Sequence, residues 1–199
     1  MRLIVSELAC ERGGRILFEG LGFTLEAGQA AMLTGPNGAG KTSLLSIIAG
    51  LLRPRQGEAR LEDTNGGEQR LPEDAHLVGH RDAVKSQLLV AENLAFWQAL
   101  LGSPGLSPEA ALGALGLRHL FDVPCAYLSA GQHRRVALAR LLVSRRPLWL
   151  LDEPLAALDA ASRFILIELM QAHLATGGLI VAATHEPLGI PATEIALAR

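Results

Sequence analysis

Cysteine is scarce in this chain of 199 residues, with Cys10 and Cys125 its two thiols. They stand far apart, in neither a C-x-x-C nor a metal-ligand spacing, and take no role here. Two lone thiols fit a reducing cytosol. An excess of charge is also missing: the formal net charge is −2, and 19% of residues are charged. With no basic tract, the chain offers a nucleic-acid backbone little to bind. No apolar run approaches the roughly 20 residues that span a bilayer. Residues 1–7 have neither a long apolar core nor a small-residue cleavage site, and read as a first strand rather than a signal peptide. Membrane association is therefore expected only through a partner. Internal repeats and low-complexity segments are absent as well.

What is present suits a compact α/β protein. Hydrophobic residues make up 49%, and the length suffices for one sizeable core with at most an inserted subdomain. Residues 1–34 alternate short strands with tight turns, and Glu26-Ala27-Gly28 is a turn feeding a buried strand over 29–33. Residues 41–50 read as a helix, with Leu44, Leu45, Ile47 and Ile48 on one side and Gly50 at its end. Residues 57–61 read as an edge strand, and 63–68 as a surface turn with hairpin chemistry. From about 82 to 146 the pattern turns helical. One helix covers 90–101, a second opens with a Ser107 cap and Pro108, and a third runs from near Ser129 to before Pro147. Strand, helix and strand follow at 148–151, 160–175 and 179–184. Strands outside and helices within predict a core over 1–80 and 147–199, with a helical subdomain inserted at 81–146.

The chemistry begins between the strand at 29–33 and the helix at 41–50. Gly35-Pro36-Asn37-Gly38-Ala39-Gly40-Lys41-Thr42 fits G-x-x-x-x-G-K-[ST] without a mismatch, with Ser43 next. Such a loop turns backbone N–H groups onto phosphate oxygens, and the following helix adds the positive end of its dipole. Lys41 is expected to reach the β- and γ-phosphates of a nucleotide, and the Thr42 hydroxyl to hold Mg²⁺. A glycine-rich turn that carries Lys-Thr by chance is the plainer reading. Eight matching positions between an apolar strand and a helix argue against it.

Leu148-Trp149-Leu150-Leu151 ends in Asp152 and Glu153, whose carboxylates should emerge at the carboxyl end of a buried strand, facing the loop. Asp152 suits the Mg²⁺ site, and Glu153 can polarise an attacking water. Two acids added for solubility are the plain alternative. Ser129 and Gln132 fit an S-x-x-Q capping box, and a capped helix start with a free hydroxyl and a glycine N–H is also an anion site. His185 ends the strand that follows the acid-tipped one. The other five histidines read as surface or satisfied core residues.

The phosphate loop, the segment Leu128-Ser129-Ala130-Gly131-Gln132 and the acid-tipped strand together resemble the ABC ATPases from end to end. That resemblance implies a P-loop NTPase fold: a RecA-like, mostly parallel sheet core, an N-terminal antiparallel β part and an inserted helical subdomain. ATP and Mg²⁺ are the implied cofactors. It also implies a head-to-tail homodimer in which Ser129, Gly131 and Gln132 face the γ-phosphate held by the other subunit. His185 takes the family's switch position, contacting the γ-phosphate and holding Glu153 in place. Asp159, in Leu155-Ala156-Ala157-Leu158-Asp159, takes the loop that crosses the dimer interface. Catalytic roles thus fall to Lys41, Glu153 and His185.

Three positions depart from the family pattern. Ala130 stands where glycine is usual. Arg12 stands where an aromatic normally stacks on adenine, and its guanidinium could stack there or be solvated. His80 stands where glutamine is usual, and imidazole cannot offer an amide oxygen to Mg²⁺.

Residues 78–97, Ala-Cys-Glu-Arg at 9–12, the Leu-Ser-Ala-Gly-Gln form and an ending 14 residues past His185 are similar to the CcmA family of cytochrome c biogenesis ATP-binding export proteins. The implied partners are a CcmB-like membrane subunit, with CcmC and the haem chaperone CcmE. The implied location is peripheral, on the cytoplasmic side of a bacterial inner membrane. ATP hydrolysis would release haem-loaded CcmE. His80, His119 and His133 are not arranged as evident axial ligands, so no haem site is expected. Residues 80–87 and the helix at 90–101 are the expected docking surface for the membrane subunit. Two other readings stay open: the ATPase of another small-molecule ABC transporter, and a soluble ABC protein acting on nucleic acid.

Overall fold

A computed structural model describes the chain apart from residues 64–66, 70, 198 and 199 and the side chains of Glu68 and Gln69. Of the turn expected over 63–68, residues 64–66 thus lie outside the described residues, and Asp63 N–H donates to Gly67 O at 2.9 Å across it. In chain order the elements are β1 (Arg2–Arg12), β2 (Arg15–Glu26), β3 (Ala30–Thr34), α1 (Lys41–Ile48), β4 (Gln56–Glu62), β5 (Glu68–Gln69), α2 (Leu71–Asp74) and β6 (Ala75–Val78). There follow α3 (Val90–Leu101), α4 (Pro108–Ala114), α5 (Ala130–Val143), β7 (Leu148–Asp152), α6 (Ala160–Ala175), β8 (Leu179–Ala183) and β9 (Thr193–Ala196). They divide into two compact units.

The first unit comprises Met1–Gly79, Pro147–Pro154 and Met170–Arg199. It holds a parallel sheet in the order β6-β7-β8-β3-β9 and an antiparallel sheet in the order β2-β1-β4-β5. β7 and β8 are buried at every residue, which accounts for their unbroken apolar runs: both faces of a parallel sheet are covered. α1 packs against β4, β7 and β8, burying Leu44, Leu45, Ile47 and Ile48. Its end is a Schellman turn, as Gly50 suggests. Gly50 lies at φ 71, its N–H donates to Ile47 O, and that of Leu51 donates to Ser46 O.

Two expectations are corrected in this unit. β1 and β2 are long strands of 11 and 12 residues, not short ones. Register shifts between Val5 and Leu8, with Glu7 at φ 47, carry β1 through a break in its alternation. β4 is not an edge, because it pairs with both β1 and β5. The hairpin chemistry of 63–68 points to such a neighbour, although β5 itself, at two residues, has no pattern of its own.

The second unit comprises His80–Arg146 and Leu155–Leu169. Here α3 and α4 both pack on α5. Ser107 caps α4 by accepting from Ala110 N at 3.2 Å, with Pro108 at the first helical position. Asn93, fully buried, ties the preceding loop to α3. Its side chain accepts from Lys85 N at 2.8 Å and donates to Lys85 O, Leu89 O and Cys125 Sγ.

Candidate functional site

In the first unit the glycine loop leaves β3 and enters α1 through Gly40, whose φ is 105. A Cβ there would lie 2.9 Å from the Phe18 ring, so both backbone and packing demand glycine. Lys41 is the first residue of α1 and is buried. Its Nζ donates to Gly35 O at 2.6 Å and Pro36 O at 3.3 Å. One residue on, the Thr42 hydroxyl donates to Asp152 Oδ2 at 2.9 Å. Asp152 closes β7 and is buried.

Glu153 follows it in a left-handed conformation, φ 47, with its N–H donating to Ala183 O at 2.8 Å. That bond ties the tip of β7 to the end of β8, just before His185. Nε2 of His185 lies 3.0 Å from Asn37 Oδ1, 3.3 Å from Lys41 Nζ and 3.6 Å from Glu153 Oε1. Lys41, Thr42, Asp152, Glu153 and His185 therefore converge at the carboxyl ends of β3, β7 and β8, which are neighbours in one sheet. Ligands of open parallel sheets bind there.

The Leu128–Gln132 segment belongs to the second unit. The reciprocal cap expected at its helix start forms: Gln132 N donates to Ser129 Oγ at 3.3 Å, and Ser129 N to Gln132 Oε1 at 2.8 Å. The Ser129 hydroxyl keeps its own proton to donate. Gly131 lies against Ala157 O, 3.1 Å from where its Cβ would be, which puts the start of α5 beside the Leu155–Asp159 loop. Asp159 accepts from Ser162 N at 2.8 Å and caps α6. Its carboxyl is held below the ordinary value by its hydrogen bonds with Ser162.

None of the hydrogen bonds above involves the side chains of the remaining candidates. Arg12 is exposed at the tip of the β1–β2 hairpin, opposite Arg15. His80 is exposed and opens the second unit. His119 sits in a short 3₁₀ turn and His133 in the first turns of α5. Burial raises both thiols, Cys10 and Cys125.

Three residues make contacts that sequence reasoning did not assign: Asn37, placed in the phosphate loop, Asn93, placed in the 78–97 segment, and His173, read with the surface or satisfied core histidines. Asn37 reaches His185. Asn93 organises the loop before α3. His173 stacks on Trp149, with ring centroids 3.9 Å apart, and burial lowers its pKa to about 4. The Asn37–His185 contact has no signal in spacing, because 148 residues separate the two, whereas Asn93 and His173 bond both near and distant residues.

A phosphate-type loop between β3 and α1, opposed by an acid-tipped strand of the same parallel sheet, defines a P-loop NTPase. Residues 18–156 match the family described as ABC transporter. The cytochrome c biogenesis ATP-binding export protein CcmA of Rhodopseudomonas palustris (strain BisB5) is 56% identical over 190 residues, covering 94% of each chain. That of Nitrobacter winogradskyi is 53% identical over 197 residues, covering 98% of this chain and 97% of the other. Among solved structures, a putative ABC transporter ATP-binding protein from Pyrococcus furiosus superposes with a TM-score of 0.84 at 25% identity, covering 99% and 98%. This chain belongs to the ABC transporter ATPases and, within them, to the family of the cytochrome c biogenesis ATP-binding export protein CcmA. It is an ATP-binding, ATP-hydrolysing subunit. Among the described residues no helix is long and apolar enough to cross a membrane.

Proposed function

We propose that this chain powers cytochrome c biogenesis as the ATPase of a membrane complex, working as a homodimer beneath a CcmB-like subunit with CcmC and CcmE. The convergence of Lys41, Thr42, Asp152, Glu153 and His185 at three adjacent strand ends carries the reading. Backbone N–H groups of residues 37–43 cradle the phosphates, and Lys41 exchanges its loop carbonyls for phosphate oxygens. Glu153 orients and polarises the attacking water. His185 donates to the γ-phosphate and steadies Glu153. Ser129, Gly131 and Gln132 present the capped start of α5 to the nucleotide of the other subunit.

Thr42 and Asp152 fit Mg²⁺. A hydroxyl and a carboxylate 2.9 Å apart are hard oxygen donors, and this ion keeps most of its shell for water and phosphate. No group of three His, Cys, Asp or Glu is therefore needed, and none is found among the described residues. When bound, the ion neutralises charge developing on the phosphate oxygens.

The membrane subunit docks on the surface that carries α3. Phe96 and Leu100 are 39% and 61% exposed there, and Lys85 Nζ lies 4.2 Å from the Phe96 ring centre. The test is complementation of a strain deleted for its CcmA gene, supplying this chain with its own neighbouring membrane-protein genes. Haem-stained c-type cytochromes should return with the wild type. Glu153→Gln should still bind ATP yet fail, with turnover lowered by about 10²-fold or more. A wild type that hydrolyses ATP but leaves the cytochromes unmatured would sink the cytochrome c reading.

A further inference from the structure

We infer that Asn37 is a positioning residue for His185, holding the imidazole in the tautomer whose Nε2 carries the proton. This rests on the reading of His185 as a donor to the γ-phosphate. Two neighbours of Nε2 pull in opposite directions. Lys41 Nζ, at 3.3 Å, has protons and no lone pair, so alone it favours a bare Nε2 that accepts. Asn37 Oδ1, nearer at 3.0 Å, favours an Nε2–H that donates.

Turning the Asn37 amide to offer N–H instead would set two donors against one lone pair. With the oxygen inward, Nε2–H has an acceptor and Lys41 keeps two of its own. Lys41 donates to Gly35 O and Pro36 O, and Nε2–H faces Asn37 Oδ1, with the Glu153 carboxylate behind at 3.6 Å. The partner of a histidine nitrogen sets its tautomer, and here that partner is an asparagine in the phosphate loop.

The consequence is chemical. A phosphate oxygen can accept from Nε2–H and is repelled by a bare Nε2. Asn37 thus keeps His185 in donor form beside an ammonium group that would otherwise reverse it. Phosphate then takes over the bond from Asn37 Oδ1. The third position of the loop shapes the histidine as well as the nucleotide.

The test combines ¹⁵N NMR of histidine-labelled protein at pH 8 with ATPase kinetics, using His185→Ala to assign the resonance. Wild-type Nε2 of His185 should be protonated. Asn37→Ala should shift it toward the bare form and lower kcat by about 10-fold, a partial version of the loss a wrong tautomer causes. KM for ATP should change little. Asn37→Asp keeps the acceptor, so it should keep the protonated Nε2 while raising KM through charge repulsion. Asn37→Ala with His185→Ala should be no slower than His185→Ala alone.

The inference is overturned if Asn37→Ala leaves the tautomer unchanged, raises KM alone, or slows the His185→Ala protein further. If His185→Ala by itself leaves kcat unchanged, the reading of His185 falls with it.

Discussion

Glu153 carries its carboxylate on a left-handed backbone, a conformation that costs a residue with a Cβ about 1–3 kcal/mol. The bond from its N–H to Ala183 O holds it there, so the end of β8 fixes where the acid at the end of β7 points. The Asp-Glu pair was legible in sequence as two acids after an apolar run, but the backbone sign and the anchor were not. His173 shows a similar limit. It is six residues before Leu179, in no motif, yet its Nε2 lies 3.1 Å from Pro147 O and 3.3 Å from Leu179 O. Burial brings its pKa from 6.5 to about 4.

Between those values the unfolded chain binds the proton that the folded one refuses, so stability falls as pH drops from about 6.5 toward 4 and levels below. The slope contributed by this residue is at most about 1.4 kcal/mol per pH unit. Urea denaturation across that window should show it in the wild type. His173→Gln should show a flatter profile, starting about 1 kcal/mol lower at pH 7 for the lost stack on Trp149. An equally steep profile in the variant would place the titration elsewhere.

At the scale of the element, α3 reads in sequence as a helix whose apolar residues wrap too widely for one stripe. Sequence leaves Phe96 and Trp97 there open either to docking a partner or to packing in the subdomain's own core. The structure separates them. Trp97 lies under the buried Arg140 guanidinium, 4.4 Å from its ring centre, and meets Phe96 edge-on at 5.6 Å. Burial, with the Arg134 charge nearby, lowers Arg140 to about 10. Trp97, half-buried, should on replacement by Ala destabilise the protein by about 1–3 kcal/mol, below a fully buried aromatic. Phe96→Ala and Lys85→Glu should change stability by under about 1 kcal/mol. Those two should release the protein from membranes that contain its partner, with soluble ATP binding intact. Thermal melts and membrane co-fractionation check both halves. Retention of a folded Phe96→Ala protein on the membrane would move the docking surface elsewhere.

At the scale of the whole molecule, the phosphate loop lies in the first unit, and Ser129 lies in the second on a helix start whose cap is satisfied within its own turn. In a head-to-tail pair each catalytic site takes one group from each subunit. Mixing Lys41→Ala with Ser129→Arg proteins should then give dimers with one doubly damaged and one intact site, and should restore part of the ATPase activity that neither protein has alone. Activity equal to the average of the two dead proteins at every ratio would remove the support for shared sites.

The sequence alone determined the local chemistry: a loop with the phosphate-binding pattern, a buried strand tipped by two acids, a self-capped Ser-x-x-Gln helix start and an α/β alternation. All of these are written in neighbouring residues, where backbone conformation and spacing leave little freedom. Tertiary structure decided what meets what. The strand order β7-β8-β3 brings Asp152 to Thr42 and His185 to Lys41 across separations of 110 and 144 residues. The same folding put Asn37 on His185 and Trp149 on His173. These contacts depend on long-range packing, whose partners have no fixed spacing along the chain.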